Sequence, residues 1–552
     1  MKQILLLFFV SVAMLYGTAQ NNVGIGTTTP DASSIVEINS NNSGLLIPRL
    51  TAVQRMAISN AANGLLVFDT DSAAFAYRTG GTWLFLKGTI SKANGWSTAG
   101  NSGTNSLSFI GTTDAQPLRF KTNSANAGWV DSTTSNTSLG FRSLDAITLG
   151  TANTAFGFKS MSSNNEGYWN AANGFEALYS NRDGSQNTAN GAFALYNNTA
   201  AVANTANGAN ALYSNTTGSA NTASGAYALT SNTTASNNTA NGYEALELNT
   251  TGSENTANGA FTLVNNITGS ANTANGNFSL YKNTTGSSNT ASGDSSLANN
   301  SNGTFNTAFG ASALEAIIVG DGNTAVGYNA LGASNVTSQH NTAIGYNAGA
   351  NASNGSNNVF VGYGAGILGS GLVNVVAIGQ GNLVPTSNTV RLGNTSTINY
   401  QAFAGWTNIS DGRFKNNVKE DVPGLAFINK LRPVTYNLAA TVLDNFFHRN
   451  HKDSTDKKTE ELETKALKEK EKITYTGFIA QDVEAAAKEL GFNFSGVDKP
   501  KNDNDTYGLR YAEFVVPLVK AVQEQQKMIE DLKNNNADLQ KQIDKLKTLI
   551  KK

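Results

Sequence analysis

A serine and a lysine five positions apart stand where the sequence changes character. Ser410 and Lys415 lie in the segment SDGRFK, between a long tract with few charges and a densely charged C-terminal region. A serine hydroxyl can attack the carbonyl group of the preceding residue, which gives an ester that water then opens. The hydroxyl needs a base, and a lysine amine can serve when burial disfavours its ammonium form. Ser410 and Lys415 are therefore candidates for a nucleophile and its base.

This chemistry requires a turn. On an α-helix, five residues correspond to about 500° of rotation, so the two side chains would not share a face. Asp411 and Gly412 form a turn dipeptide that can bring Ser410 and Lys415 together. The alternative interpretation is structural: Ser410 or Asp411 caps a helix whose first turn carries solvated basic residues.

A seventeen-residue repeat organises the region before this segment. Each asparagine is followed by a glycine four positions later and by an apolar residue eight positions later, in the pattern N-T-A-x-G-x-x-A-L-x-x-N-T-T-G-S-x. After one insertion the glycines continue at Gly345, Gly362 and Gly379. The asparagines that keep a step of seventeen are Asn136, Asn153, Asn170, Asn187, Asn204, Asn221, Asn238, Asn255, Asn272, Asn289, Asn306 and Asn323.

A period of seventeen fits one coil of a β-solenoid or β-roll. In each coil we expect two extended segments, such as NTANG and FALY, joined by corners where glycine and asparagine supply positive φ. Stacking would place leucine on leucine and asparagine on asparagine at the spacing of strands, and about fifteen coils would form a rod of roughly 70 Å over residues 136–396. The alternative, a disordered low-complexity tract, does not explain a register kept over twelve coils.

The later coils carry a resemblance to a known family. The segments NTAVGYNAL, NTAIGYNAG and NVFVGYGAG resemble the head repeats of trimeric autotransporter adhesins. This resemblance implies a left-handed β-roll with three chains side by side. We therefore expect the rod to be homotrimeric.

The N-terminal region is predicted to hold a secretory signal and two small β modules. Lys2, an apolar run over residues 4–16 and the small residues before Gln20 indicate a signal peptide over residues 1–19. A hairpin is expected around Gly80-Gly81 in the module 20–96, and a strand-turn-strand unit over residues 107–123 in the module 97–135. These modules resemble those at the head end of phage tail fibres, and Trp83 is interpreted as a core or trimer-contact residue.

Three segments after SDGRFK strengthen the chemical interpretation. LAFINKLRPVTYNL, YTGFIAQDVEAAAKEL and YGLRYAEFVVPLVKAVQEQ follow it in order, and the four motifs together resemble the C-terminal chaperone domain of endosialidase tailspikes. That family trimerises the preceding fibre and then cuts itself off in the assembled trimer, with a serine and a lysine that match Ser410 and Lys415. The resemblance therefore implies cleavage of the bond between Ile409 and Ser410. The resemblance implies an α+β chaperone over residues 410–515, whose work would depend on helices at 425–438, 475–490 and 507–552.

The C-terminal segment 516–552 has a heptad pattern typical of a coiled coil. The a and d positions by themselves favour two strands, but the family resemblance implies three. A charged insert between the chaperone motifs is expected to form an exposed helical excursion. His448, His451 and Asp453 could supply metal ligands there, but three histidines in the whole chain and no further ligand make a metal site unexpected. The a positions are Val522, Ile529, Asn536, Ile543 and Ile550, and the d positions are Leu518, Gln525, Leu532, Leu539 and Leu546.

The fold class that follows is mainly β, with a repeat solenoid, a neck over residues 397–409, the α+β chaperone and the coiled coil. The chain carries 14 % charged residues and a net charge of −1, which argues against nucleic acid as a partner. We expect an exported homotrimeric, adhesin-like surface fibre with no cofactor, no metal, no transmembrane segment after signal removal and no activity beyond a single self-cleavage. A cell-surface or glycan receptor remains open as a partner.

The alternative functions are glycan degradation or ligand binding by the rod. Glycan hydrolysis needs two paired carboxylates, and the acidic residues of the rod are dispersed. Ligand binding would use a row of threonines one coil apart. The row comprises Thr188, Thr205, Thr222, Thr239, Thr256 and Thr273.

Overall fold

The N-terminal unit, Met1–Gly111, is built on a small mixed sheet. The computed structural model describes residues 22–86, 104–333, 337–448 and 457–551, so the predicted signal peptide lies outside the described residues. The predicted hairpin is confirmed, with φ of 54° and 80° at Gly80 and Gly81. The elements are β1 (Val23–Ile25), β2 (Val36–Ile38), β3 (Arg49–Leu50), α1 (Ala52–Met56), β4 (Leu66–Asp69), β5 (Ala74–Thr79) and β6 (Thr82–Leu86).

Trp83 of this unit is half-buried beside a buried ion pair. The guanidinium group of Arg55 lies 5.3 Å from the centre of the Trp83 ring and donates to Asp69 over 2.7 Å. A cation above an indole face and a paired carboxylate both lower the cost of burying the arginine. Trp83 therefore contributes to the folding of its own unit.

The second unit, Thr112–Lys552, begins with an antiparallel hairpin. Its strands are β7 (Leu118–Thr122) and β8 (Ala125–Asp131), and β8 pairs with the first strand of the rod, β9 (Asn136–Leu139). The predicted strand-turn-strand over 107–123 is wrong, because residues 107–117 contain no strand and β7, which begins at Leu118, pairs with the residues that follow it.

The rod is a parallel β-solenoid, as predicted. One three- or four-residue strand per coil pairs in register with the next, so that Thr188 faces Thr205 and Ala189 faces Ala206. After β9 the ladder continues through β10 (Thr154–Phe156), β11 (Ala171–Asn173), β12 (Thr188–Asn190), β13 (Thr205–Asn207), β14 (Thr222–Ser224), β15 (Thr239–Asn241), β16 (Thr256–Asn258), β17 (Thr273–Asn275), β18 (Thr290–Ser292), β19 (Thr307–Phe309), β20 (Thr324–Val326), β21 (Thr342–Ile344), β22 (Val359–Val361), β24 (Val375–Ile378) and β26 (Thr389–Leu392). The short strands β23 (Gly366–Ile367) and β25 (Leu383–Val384) pair separately.

The interior of the rod combines a leucine stack with asparagine ladders. The repeat leucines and alanines are buried, as are the repeat asparagines. Asn238 Nδ2 donates to Gly252 O at 3.0 Å, and its Oδ1 accepts from the backbone N–H of Asn255 at 3.0 Å. The Asn238 amide is thus satisfied by an adjacent coil and its own, which removes the penalty for burying it, whereas Asn300 Oδ1 is buried without a hydrogen-bond partner among the described residues.

The corners of each coil differ from the prediction. The FALY segment is a turn, not a second strand, and its leucine adopts a left-handed conformation, with φ of 52° at Leu195. This conformation costs about 1–2 kcal/mol for a residue with a side chain. Burial of the leucine side chain contributes about 1.5–3 kcal/mol of stabilisation, which offsets that cost. Glycine is required at Gly191, where φ is 138° and a Cβ would lie 2.5 Å from Gly208 O.

The C-terminal domain is α+β. Phe427, Val483, Phe494 and Phe514 form its core. The helices expected at 425–438, 475–490 and 507–552 are only partly right, because each of these segments also contains a short strand. The elements are a 3₁₀ turn (Gly412–Phe414), α2 (Leu425–Ile428), β27 (Val434–Asn437), α3 (Ala440–His448), α4 (Lys457–Glu471), β28 (Thr474–Gly477), α5 (Ala480–Glu489), β29 (Val497–Asp498), β30 (Gly508–Leu509), a second 3₁₀ turn (Tyr511–Phe514) and α6 (Val515–Ile550).

The long helix α6 carries the predicted heptads on one continuous helix. Its a and d side chains, including Ile529 and Leu532, are exposed in the single chain. An uncovered apolar seam of this length is typical of a helix that packs against partner helices. Within the described ranges, no helix has the length and apolar character needed to cross a bilayer.

Candidate active site

A short 3₁₀ turn begins the C-terminal domain and brings together the two side chains that the sequence singled out. Asp411 caps this turn, and its carboxylate accepts from the backbone N–H of Arg413 at 2.9 Å. The backbone is extended at Asp411 and again at Lys415, with ψ of 125° and 121°. The chain therefore reverses over three residues, and Ser410 and Lys415 emerge on the same side.

Ser410 and Lys415 are in direct hydrogen-bond contact. Lys415 Nζ lies 2.7 Å from Ser410 Oγ. This distance lies within the range that proton transfer between a nucleophile and its base requires. As an ammonium, the lysine donates to the hydroxyl; as a neutral amine, the same nitrogen can accept the hydroxyl proton.

Asp411 is engaged by Arg413 and not by Lys415. The Arg413 guanidinium donates to the Asp411 carboxylate from Nε at 2.9 Å and from the terminal nitrogen at 2.6 Å. Hydrogen bonds from the Arg413 side chain, and then from its backbone, hold the pKa of Asp411 below its ordinary value of 3.8. Because the arginine neutralises the one nearby carboxylate, Lys415 is left to interact with the serine.

The site lies on an exposed and unusually apolar surface. Ile409 is 93 % exposed, and Phe414 and Val418 are also largely exposed. The neck, residues 397–409, adds Phe403 and Trp406, whose rings project into solvent. In the single chain the side chains of Ser410 and Lys415 are also exposed, and the apolar residues around them form a surface that another chain could cover.

The structural alternative for SDGRFK holds in part. Asp411 does act as a cap, but it caps a three-residue 3₁₀ turn and not an α-helix. The basic residues also differ from that alternative, because Arg413 pairs with Asp411 and Lys415 with Ser410. The turn thus has a capping residue and a serine–lysine contact at the same time.

Sequence reasoning missed a second polar cluster in the charged insert. His448 Nδ1 lies 3.1 Å from Asp444 Oδ1, and His448 Nε2 lies 3.0 Å from Gly381 O of the rod. The ion pair with Asp444 raises the pKa of His448 to about 9. The i, i+4 spacing of Asp444 and His448 on a helix was the available signal. Of the residues weighed as metal ligands, His451 and Asp453 lie outside the described residues.

Comparison with known proteins gives two separate family matches, one near each end of the chain. Residues 24–104 match a family model described as a phage tail like trimerisation region, and residues 410–492 match the chaperone of endosialidase. The second match begins at Ser410 and confirms the resemblance of the C-terminal domain to endosialidase-type fibres. Comparison with curated proteins finds no match.

The two matches indicate a trimeric fibre with a C-terminal chaperone domain. Domains similar to those of phage tails also indicate an extracellular or virion-associated protein. Both matches concern assembly. What Ser410 and Lys415 can do chemically is therefore argued from the geometry of the turn.

Proposed function

We propose that this protein is an exported homotrimeric, adhesin-like fibre whose C-terminal domain assembles the trimer and then cuts the chain between Ile409 and Ser410. In this proposal Ser410 is the nucleophile, Lys415 is the base, and Asp411 and Gly412 supply the turn. The observation that carries it is the 2.7 Å contact between Lys415 Nζ and Ser410 Oγ at the first residues of the domain.

The reaction needs no group beyond the chain and one water molecule. Ser410 Oγ attacks the carbonyl carbon of Ile409 while its proton passes to the neutral amine of Lys415. The C–N bond of the peptide breaks, the Ser410 nitrogen takes up a proton, and an ester links Ile409 to the Ser410 oxygen. Water then hydrolyses the ester, so that one fragment ends at Ile409 and the other begins at Ser410 with a free amine.

In this proposal, cleavage occurs only after the trimer has assembled. An exposed lysine holds its proton in water, and desolvation favours the neutral amine that the base must be. Ile409, Phe414 and Val418 supply apolar surface beside Ser410 and Lys415 that neighbouring chains would bury in the trimer. Burial by neighbours would therefore remove water from Lys415 only after three chains have joined.

A chaperone would also prevent three chains from aligning out of register along the rod. Each coil resembles the next, so three chains can pair with errors of seventeen residues that leave the same groups opposed. A coiled coil that first joins the chains at one end defines a common starting point. The uncovered seam of α6 supports this role.

The test is to measure the chain mass of the purified protein under denaturing conditions, together with its oligomeric state. We expect two fragments that meet between Ile409 and Ser410, in a protein that is trimeric before cleavage. Ser410→Ala should give a single uncut chain that still forms trimers. A wild-type chain of full mass in a fully assembled trimer would contradict the proposal.

A second candidate is ligand binding by the outward face of the rod. The threonine row and an exposed asparagine row run along the same strands, and Asn241 Nδ2 donates to Asn258 Oδ1 at 2.8 Å. This gives a regular array of polar groups in solvent. Ice recrystallisation and glycan-binding assays with the full protein test this candidate, and no effect in either assay would reject it.

A further inference from the structure

An insertion in the C-terminal domain contacts the rod. The insertion, residues 438–473, interrupts the antiparallel pair β27–β28 and contains α3 and α4. The part predicted to be an exposed helical excursion, residues 444–472, is helical where the structure describes it, in α3 up to His448 and in α4 from Lys457. One side of it, however, is docked against the last coils of the solenoid.

The centre of this contact is apolar. The Phe447 side chain is 7 % exposed and packs with Leu368 and Leu383 of the rod. Arg391 of β26 places its guanidinium carbon 4.8 Å from the centre of the Phe447 ring. A buried phenylalanine of this kind is a typical anchor of a stable interface.

Polar contacts surround the anchor and tie α3 and α4 to the rod. Lys470 Nζ donates to Thr395 O at 2.7 Å and to Thr397 O at 2.8 Å. Thr395 donates to the Asp444 carboxylate, and Gln380 donates to Glu463. With the His448 contact to Gly381, these bonds satisfy groups on both sides of the interface.

A further bond comes from outside the insertion. Asn502 Nδ2 donates to Pro385 O at 2.9 Å. Together the contacts hold the C-terminal domain against the last coils of the solenoid, between Leu368 and Thr397. We call the domain docked in this way the cap.

These contacts do not depend on the peptide bond that the proposed function breaks. On the rod side they lie between Leu368 and Thr397, and on the other side between Leu443 and Asn502. Of the neck, Thr397 takes part through its carbonyl oxygen, whereas Trp406 and Ile409, both at least 90 % exposed, make none of these contacts. Cleavage before Ser410 would leave every contact of the cap in place.

We propose that the insertion holds the C-terminal fragment on the rod after cleavage, so that the mature fibre keeps its chaperone as a non-covalent cap. This inference rests on the proposed self-cleavage. In a trimer, three such contacts would act together because α6 links the three C-terminal fragments, and linked contacts dissociate far more slowly than single ones.

The test compares chain mass under denaturing conditions with particle mass under native conditions. For the cut wild-type protein we expect two fragments after denaturation but one particle with the mass of the whole trimer, which persists after dilution. The double variant Phe447→Ala with Lys470→Gln should lose its C-terminal fragment at least tenfold faster. Lys468→Gln, an exposed lysine two positions away on α4, is the control and should retain it.

A second arm separates this inference from the proposed function. In Ser410→Ala, residues 401–407 of the exposed neck are replaced by the recognition sequence of a specific protease, and the chain is cut there. Retention of the C-terminal fragment after this cut supports the cap even if the wild type never cuts itself. Separation of the fragments on dilution, in either protein, would overturn it.

Discussion

Lys415 Nζ lies 2.7 Å from Ser410 Oγ, across a turn of three residues and at the start of the chaperone domain. The Asp411 carboxylate in the same turn is bound by Arg413, so Lys415 pairs with Ser410 and not with Asp411. The contact supports two roles for Lys415, as a base or as a fixed positive charge. The two roles predict different effects on cleavage when Lys415 is substituted.

Replacing Lys415 with arginine distinguishes a base from a charge. Arginine keeps the positive charge but cannot lose a proton at working pH. If Lys415 is the base, Lys415→Arg should be as inactive in cleavage as Lys415→Ala, with both variants still trimeric. The measurement is the fraction of chain cut over time under denaturing analysis. Cleavage of the arginine variant at a rate near that of wild type would rule out the base role.

The buried asparagine ladder should be far more sensitive than the exposed one. Asn238→Ala leaves the Asn255 N–H without its side-chain acceptor and removes one of the two amides that donate to Gly252 O, and an unsatisfied buried group costs about 1–3 kcal/mol. Asn241→Ala, three residues along and on the outward face, should change the free energy of unfolding by no more than about 0.5 kcal/mol. Urea unfolding followed by circular dichroism compares the two. Equal shifts would mean that the ladder adds no stability.

The ion pair of His448 should make the docking of the insertion sensitive to alkaline pH. The side-chain hydrogen bond and charge of Asp444 raise the pKa of His448 from 6.5 to about 9. Because the folded-state pKa is the higher one, the stabilisation is complete below pH 6.5 and is lost as the pH rises through about 9. Glu463 contributes with the same sign at lower pH, from its ordinary pKa of 4.5 upwards, since burial and then the nearby Asp444 raise its pKa. Lys470 acts in the opposite sense, because burial lowers its pKa.

Titration of the imidazole signals by nuclear magnetic resonance checks this expectation, with His448→Gln as the assignment control. Asp444→Asn should return the titration of His448 towards 6.5 because the charged partner is gone. A wild-type His448 that titrates near 6.5 would show that the ion pair is not formed in solution.

A charge in the seam of α6 should prevent trimer formation. Leu532 occupies a d position and is exposed only because its partner helices are absent from the single chain. Leu532→Lys would place an ammonium in the centre of the coiled coil, whereas Asn534→Lys adds the same residue at the outer f position. Light scattering should report trimers for Asn534→Lys and monomers or aggregates for Leu532→Lys. Trimers in both would mean that the rod and the N-terminal unit suffice for assembly.

Much of the architecture could be predicted from the sequence because every coil of the rod carries the same residue types at the same positions. An asparagine, an alanine and a leucine at constant spacing must face the interior in every coil or in none, so one correct coil predicts the others. The same spacing could not reveal that leucine forms a corner with positive φ. Local preference disfavours that conformation, and only burial against the neighbouring coils compensates for it.

The candidate site shows the same division between local and long-range causes. Ser410 and Lys415 are paired through the family resemblance, and the pairing holds because the six residues from Ser410 to Lys415 form the whole turn, so the interactions that shape it are local. The docking of His448 and Lys470 on Gly381, Thr395 and Thr397 joins residues 67 to 75 positions apart. No periodicity links such distant segments, so only the tertiary structure could decide that the charged insert packs on the rod.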